Sequence, residues 1–95
     1  MSRVSDKSYF VYVLWSVSGR CFYIGTSENP LKRLEQHNSG VYGSWSKRHR
    51  PWNLVFTEQH PDYKQARKRE LQLKAQKGGA GFFAMTRLDP NQFGR

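Results

Sequence analysis

The pattern of hydrophobic and polar positions predicts that the chain opens with two strands joined by a short turn. Residues 9–15 are a run of aromatic and branched apolar residues, which is typical of a buried strand. Residues 21–25 form a second such run. The segment 16–20 between them has turn composition and contains Gly19, which is free to take a positive φ. We therefore predict a β-hairpin.

Two tyrosines in this hairpin stand eleven residues apart, Tyr12 in the first strand and Tyr23 in the second. Side chains alternate between the two faces of a strand, so the register decides whether the phenols meet. A loop with an even number of residues places both on one face, whereas an odd number without a bulge separates them.

The next segment carries the signals of a helix at both ends. Asn29 can cap its start, Pro30 suits the first helical position, and Gly40 suits the stop. The spacing predicts that Leu31 and Leu34 face the core.

Residues 41–50 are rich in glycine, serine and cations, and we predict a loop or short helix that ends at Pro51. Tyr42 in this segment adds a candidate phenol. Residues 52–57 alternate partly between apolar and polar side chains, which predicts a third strand.

A second long helix is predicted from Asp62 to about Lys77, with Asp62 and Gln65 spaced as a capping box. Beyond it, residues 82–85 are a short apolar piece that we expect to be helical and to cover the core. Past Arg87 we expect fraying.

The order strand, strand, helix, strand, helix predicts an α+β domain with a small three-stranded antiparallel sheet flanked by helices. Ninety-five residues make one domain. We expect it to span 1–95, with a core at about 9–83 and short tails.

Charge narrows the class of partner. Lys and Arg number 16 against 7 Asp and Glu, which gives a net charge of +9 and a pI near 10.1. This balance favours a polyanion, with nucleic acid ahead of an anionic membrane. No apolar stretch approaches the length of a membrane span, and Met1–Lys7 has no signal-peptide character. We therefore expect no membrane partner.

Several kinds of machinery are excluded by the residues. The single cysteine, Cys21, allows no internal disulfide, fits a cytoplasmic location and is expected to be a small core residue. No CxxC, HExxH or Cys/His zinc spacing is present, and Gly78–Gly81 lacks the residues of a phosphate loop. Use of ATP and structural zinc are not expected.

Five short segments follow one another along the chain: Tyr9–Trp15, Phe22–Thr26, Asn29–Asn38, Arg50–Val55 and Arg69–Lys74. In this order and spacing they resemble the GIY-YIG nuclease superfamily, and among its members the small single-domain branch related to the N-terminal nuclease domain of the bacterial excision-repair incision subunit. One departure is that Phe10-Val11-Tyr12 stands where Gly-Ile-Tyr would.

Glu70 gives the sharpest chemical signal. It falls within the stripe formed by Tyr63, Ala66 and Leu73, where a charge is costly unless it is paired or bound to a metal. A salt bridge to Lys74, four residues on, would satisfy it. The resemblance implies instead that Glu70 holds Mg²⁺ or Mn²⁺, with substrate phosphate and water completing the shell.

Arg33 and His37 stand four residues apart on the first helix and so share a face. A guanidinium at position 33 can clamp the scissile phosphate, or it can grip phosphates non-specifically from the surface. His37 can move a proton or orient the phosphate, or it can act only as a histidine near a helix C-terminus.

The strand tyrosines have two interpretations. Most tyrosines in strands are core aromatics, but the resemblance implies that one phenol, Tyr12 first, activates the attacking water. The phenol pKa must then be lowered, which nearby cations and a metal-bound water could do. Tyr23 would orient water or phosphate, and Gly25 would let a phosphate approach the backbone.

A basic surface interleaved with an aromatic side chain predicts contacts to the nucleic-acid backbone, with possible stacking on Trp45. Solvated charges on a helix face are the plainer interpretation of such runs. The candidate nucleic-acid-binding residues are Gly25, Thr26, Lys32, Asn38, Trp45, Lys47, Arg48, Arg50, Arg67 and Lys74.

Together these residues predict a metal-dependent endonuclease that nicks nucleic acid, with DNA preferred. Tyr12, Tyr23, Arg33, His37 and Glu70 form the expected catalytic group. Two alternatives remain open at this stage: a non-catalytic or partner-dependent nucleic-acid-binding module, and an RNA nuclease. We expect a monomer or weak dimer, which a targeting protein could accompany.

Overall fold

The structure, a computed structural model, describes residues 8–41, 43–77 and 79–93. The candidate phenol Tyr42 lies outside the described residues, as do Met1–Lys7 and Gly78. The elements in chain order are β1 (Tyr9–Ser16), β2 (Cys21–Ser27), α1 (Pro30–Ser39), α2 (Ser44–Arg48), β3 (Trp52–His60), α3 (Tyr63–Ala75), α4 (Ala80–Thr86) and a 3-10 helix (Pro90–Phe93).

The three strands form one antiparallel sheet in the order β2-β1-β3, which confirms the predicted α+β class. The β1–β2 loop has four residues, 17–20. In this register Tyr12 lies opposite Gly25 and Leu14 opposite Tyr23, so the two phenols share a face. The geometric condition set by the sequence is met.

The turn of this hairpin differs from the prediction in one respect. The positive φ falls on Arg20, at 52°, and not on Gly19. Gly19 is needed for a different reason, because a Cβ there would overlap the ring of His49. The glycine gives room for a tertiary contact, which turn composition does not reveal.

Helix α1 begins and ends as predicted. The Asn29 side chain accepts a hydrogen bond from Lys32 N, and Gly40 closes the helix with φ 85°. Leu34 packs on the sheet as expected, but Leu31 is 67% exposed, which corrects its predicted place in the core. Leu31 lies roughly 120° around the helix from the buried His37, away from the sheet.

The other elements refine the predicted boundaries. Strand β3 runs three residues beyond the predicted end at 57, and α3 stops at Ala75. The Asp62 carboxylate caps α3 by accepting from Gln65 N. The expected fraying past Arg87 is wrong, because Phe93 is buried against Trp15 and Phe22.

The sheet has two differently covered faces. The α3 face is covered by α3, α4 and the 3-10 helix and carries the larger apolar core. The α1 face is covered by α1 and α2. The α3 face buries Val11, Val13, Trp15, Phe22, Ile24, Ala66, Leu73, Phe82, Phe83 and Phe93. The α1 face buries Tyr12, Leu14 and Trp52, with Leu34, Leu54, Tyr23 and the half-buried Cys21 beside them.

No helix among the residues described is both long and apolar enough to cross a membrane.

Candidate active site

Glu70 is buried, with 4% of its surface exposed, at the margin of the α3 face. Its Oε1 accepts a hydrogen bond of 2.5 Å from the Thr26 hydroxyl on β2. Its Oε2 contacts Lys74 Nζ at 2.7 Å and Arg67 at 3.0 Å, both on its own helix.

The predicted ion pair with Lys74 is therefore present, and Ala66 and Leu73 of the predicted stripe are buried beside it. Tyr63 departs from the stripe, because it is 52% exposed.

The surroundings of Glu70 keep its carboxylate ionised. Burial pushes the pKa up, but hydrogen bonds from Lys74, Thr26 and Arg67 outweigh burial and bring it below its usual value. An ionised oxygen donor is what Mg²⁺ or Mn²⁺ requires. The described residues contain no cluster of three or more His, Cys, Asp or Glu side chains suited to a metal. A metal held here would therefore rely on one carboxylate and on ligands from the substrate and water.

Tyr12 and His37 meet on the α1 face. The Tyr12 hydroxyl lies 3.4 Å from His37 Nε2, and His37 Nδ1 lies 2.7 Å from the Ser46 hydroxyl on α2. Both rings are almost fully buried. Burial and the neighbouring Arg33 lower the pKa of His37 to about 4, so the imidazole is neutral at pH 7. A neutral ring is not the charged partner of a helix C-terminus that the plainer interpretation of His37 requires.

The Tyr12 phenol does not ionise readily to a phenolate. Burial and Tyr23 raise its pKa above its usual range, and Arg33 offsets only part of this. The expectation that cations lower this pKa is wrong for the structure as it stands, because desolvation of a buried phenolate outweighs one half-buried arginine. Tyr12 is thus a neutral hydrogen-bonding group within reach of the neutral His37 ring and of Tyr23.

Gly25 fixes the place of that phenol. A Cβ at position 25 would lie 2.7 Å from Tyr12 Oη and 2.8 Å from its Cζ. The tyrosine ring therefore reaches across the glycine toward the outer edge of β2. Any other residue at position 25 would meet the ring.

Tyr23 completes an aromatic wall around His37. Its ring centroid lies 4.4 Å from the His37 ring and 6.1 Å from the Tyr12 ring. Trp52 closes the other side, 6.2 Å from His37. The wall orients the imidazole and excludes water from it.

Arg33 is positioned by the last residue of β2. Its Nε donates to the Ser27 hydroxyl at 3.3 Å, and the same hydroxyl accepts from Asn29 N at 2.9 Å. Arg33 also lowers the pKa values of Tyr12 and His37, so its charge acts on both groups. The carboxylate of Glu70 acts on Tyr12 in the opposite sense.

Residues at the end of β2 thus contact groups on both faces of the sheet. Gly25 and Ser27 contact the groups of the α1 face, and Thr26 between them contacts Glu70 on the α3 face. A cleft of about 510 Å³ opens beside this segment and is lined in part by Thr26, Ser27, Lys32 and Arg33. A phosphate bound here could meet the Arg33 guanidinium on one side and, on the other, the Glu70 carboxylate as the candidate metal ligand.

The predicted nucleic-acid-binding residues separate into groups. Asn38 is engaged in the fold, since its amide donates to Trp52 O and accepts from Trp52 N. Arg50 donates to backbone carbonyls of Lys47 and Asn38. Lys47, Arg48 and Trp45 are exposed on α2, and Trp45 stands 6.5 Å from the Tyr23 ring.

Some residues of this arrangement were not predicted from the sequence. Ser27 and Ser46 are buried and hold Arg33 and His37. Serines in strand ends and short helices are common, so only the fold reveals these contacts. Tyr9, Glu28 and Tyr63 also line the cleft. The sequence pattern places Tyr63 in the apolar stripe of α3 and gives no signal for this position.

Comparisons with known proteins identify relatives of this chain. The profile of the family described as "GIY-YIG catalytic domain" matches residues 8–81. A UPF0213 protein of Syntrophus aciditrophicus is 41% identical over 70 residues, which cover 73% of this chain and 78% of that protein. A UPF0213 protein of Staphylococcus aureus is 34% identical over 67 residues, which cover 70% of this chain and 80% of that protein.

A larger protein is also similar. The structure-specific endonuclease subunit SLX1 of Meyerozyma guilliermondii is 40% identical over 57 residues, which cover 55% of this chain. The match spans only 19% of that relative's length.

Proposed function

Because this chain belongs to the GIY-YIG family of catalytic domains, we propose that it is a divalent-metal-dependent endonuclease that nicks DNA. The observation that supports this most strongly is the convergence at the end of β2. There, Thr26 contacts the buried carboxylate of Glu70, and the next residue, Ser27, contacts Arg33. The name of the SLX1 relative, an endonuclease subunit, is consistent with this activity.

Glu70 is the residue that would hold the metal, Mg²⁺ or Mn²⁺. It fits because it is ionised, and because its partners Arg67 and Lys74 are 44% and 46% exposed. Long cationic side chains at a surface can move to a phosphate when another cation takes the carboxylate. A bound metal would supply charge neutralisation at the leaving oxygen and at a non-bridging oxygen.

Tyr12 and His37 would handle the proton of the attacking water. As a water oxygen forms its bond to phosphorus, its proton passes to the Tyr12 oxygen. The phenol proton passes at the same time to His37 Nε2, which is neutral and 3.4 Å away. The resulting imidazolium is held by the Ser46 hydroxyl at Nδ1. The bond from phosphorus to the 3′ oxygen breaks, and that oxygen takes a proton from solvent water, so that a 5′ phosphate and a 3′ hydroxyl result. His37 then returns its proton to solvent.

Arg33 would stabilise the charge that develops on the phosphoryl oxygens. Its guanidinium lines the cleft and is oriented by Ser27. A preorganised donor of this kind is worth about 10²–10³ in rate in other enzymes. Tyr23 would orient the water or phosphate from the aromatic wall.

The net charge of +9 supports binding along the phosphate backbone. Lys32 in the cleft and Lys47, Arg48 and Trp45 on α2 are the proposed contacts beyond the site. One site of this kind cuts one strand, so a monomer would produce a nick. We propose a cytoplasmic protein that a targeting partner could direct, as the word subunit in the SLX1 name suggests.

The test is relaxation of supercoiled plasmid by wild-type protein and by Glu70→Gln, with Mg²⁺, with Mn²⁺ and with EDTA. We expect nicking with either metal, none with EDTA, and a loss of at least about 100-fold in the variant. Circular dichroism establishes that the variant is folded. An equal rate in EDTA would refute the metal requirement.

A second candidate, a non-catalytic binding module, is favoured by one observation. The Glu70 carboxylate is already satisfied by Thr26, Lys74 and Arg67 without a metal. Wild-type protein that binds DNA but nicks neither DNA nor a matched RNA with any metal would establish this alternative. Cleavage of RNA alone would move the assignment to an RNA nuclease.

A further inference from the structure

The cleft beside the active site combines two kinds of lining. Helix α1 contributes the cations Lys32 and Arg33, and β1 and α3 contribute the tyrosines Tyr9 and Tyr63. Glu28, which directly follows β2, adds a carboxylate. A surface that only bound phosphates would not also carry a carboxylate. A carboxylate and a phosphate are both negatively charged and repel each other.

The pair formed by Tyr9 and Tyr63 presents an aromatic ring to the cleft. Tyr63 is 52% exposed, and its ring stands edge-on to Tyr9 with the centroids 5.5 Å apart. The Tyr9 phenol is in turn hydrogen-bonded with Glu28, which raises its pKa. The contact fixes the tilt of Tyr63 while half of its surface stays open to solvent. An exposed, oriented aromatic ring beside cations is the usual platform for a nucleobase.

The cleft shares residues with the proposed catalytic centre. Thr26 lines the cleft and donates to Glu70, and Arg33 lines the cleft while Ser27 orients it. Arg33 and Tyr63 line the same cleft, so a strand whose phosphate lies at Arg33 could place a base at Tyr63. An unpaired base offers a ring face for stacking and a free hydrogen-bonding edge.

We propose, on the basis of the function above, that this cleft is a base-binding subsite in which Tyr63 stacks an unpaired base and Glu28 reads its amino edge. A carboxylate accepts hydrogen bonds and donates none. Cytosine presents an exocyclic amino group to such an acceptor, whereas thymine presents a carbonyl oxygen at the same place. The subsite therefore prefers cytosine to thymine, and Glu28 determines the preference.

The test is binding of fluorescein-labelled oligo(dC) and oligo(dT), each of twelve nucleotides, by fluorescence anisotropy in EDTA. Both probes are single-stranded pyrimidines with the same phosphates. We expect wild-type protein to bind oligo(dC) at least about 5-fold more tightly. Glu28→Gln, whose amide can both donate and accept, should bring the ratio close to 1. Glu35→Gln removes the same charge from α1 outside the cleft and should leave the ratio unchanged.

The stacking half of the proposal has its own variants. Tyr63→Ala should weaken binding of both probes by about 10-fold, and Tyr63→Phe should retain it. Leu71→Ala, at an exposed position of the same helix, should match wild type.

Equal affinity for the two probes, or a ratio that survives Glu28→Gln, would overturn the proposal. None of these measurements needs cleavage. A protein that fails to nick plasmid but discriminates between the probes would refute the proposed enzyme and keep the subsite. A protein that nicks but does not discriminate would do the reverse.

Discussion

The α1 face and the α3 face use the same three strands, yet they bury different kinds of side chain. The α3 face is filled by apolar rings and branched chains from β1, β2, α3, α4 and the 3-10 helix, with one charge, Glu70, at its margin. The α1 face holds phenols, an indole and a neutral imidazole joined through hydroxyl groups. We infer from this difference that one face stabilises the domain and that the other positions the proposed catalytic groups.

Alternation along a strand makes this division possible in so small a chain. Tyr12 and Val13 are neighbours in β1, but one lies on each face. Single substitutions should therefore affect either stability or catalysis. Four predictions test the division, from the largest expected effect to the smallest.

The largest effect should come from the apolar core. Phe82 is fully buried and packs 4.9 Å from the Phe22 ring. Phe82→Ala should lower the free energy of unfolding by about 3–5 kcal/mol, through lost burial and a cavity. Urea denaturation measures it. Leu71→Ala, on the exposed side of α3, should change the same quantity by less than about 0.5 kcal/mol. Equal losses in the two variants would mean that α4 is not part of the core.

The stability contributed by the α1 face should depend on pH. The pKa of His37 is about 4 in the folded protein and higher when unfolded, so the unfolded state binds more protons between these values. The contribution of His37 to the free energy of unfolding is therefore fully present above about pH 6.5. It is lost as the pH drops toward 4, by up to about 3 kcal/mol. Urea denaturation of wild type and His37→Gln at pH 7 and pH 4.5 measures the difference. A His37→Gln protein that keeps the wild-type pH dependence would contradict the assignment.

A substitution at Gly25 should disturb chemistry more than stability. The Cβ of Gly25→Ala would push the Tyr12 phenol from its place. We expect plasmid nicking to fall by about 10–100-fold while the free energy of unfolding changes by less than about 2 kcal/mol. Gly79→Ala is the matched control, since its Cβ would come no closer than 3.5 Å to another group. Unchanged nicking by Gly25→Ala would remove Tyr12 from the mechanism.

The smallest effect concerns the charges around Glu70. Lys74 contacts the carboxylate that we propose as the metal ligand. Lys74→Gln should raise the affinity of the DNA-free protein for Mn²⁺ by about 3–10-fold, because one competing cation is gone. Isothermal titration calorimetry measures this. Lys68→Gln, an exposed lysine of the same helix, should leave Mn²⁺ affinity close to wild type. No change in either variant would show that Lys74 does not compete with the metal.

Most of the fold could be predicted from the sequence because local signals were strong. The hairpin, the caps of α1 and α3 and the apolar piece in α4 each have a local cause. The errors came from tertiary contacts. Leu31 is exposed because of how α1 rests on the sheet, and Phe93 is buried because Trp15 and Phe22 accept it.

The sequence places Glu70 within the apolar stripe of its helix, but it does not contain the electrostatics of the candidate site. A buried Glu70 followed from its place in the helix stripe. The raised pKa of Tyr12 and the lowered pKa of His37 depend on burial that the linear pattern does not contain. The roles of Ser27 and Ser46 depend on side chains from separate elements meeting in space.

The division between the two faces is tested most directly by measuring plasmid nicking and urea unfolding on the same preparations of Tyr12→Phe and Val13→Ala. Tyr12→Phe should lose at least about 100-fold in nicking rate and about 1 kcal/mol in stability, since only a hydroxyl is removed. Val13→Ala should lose about 2 kcal/mol or more in stability and keep the nicking rate per folded molecule. If both variants lose nicking in proportion to their loss of stability, the two faces do not divide these tasks and the account is wrong.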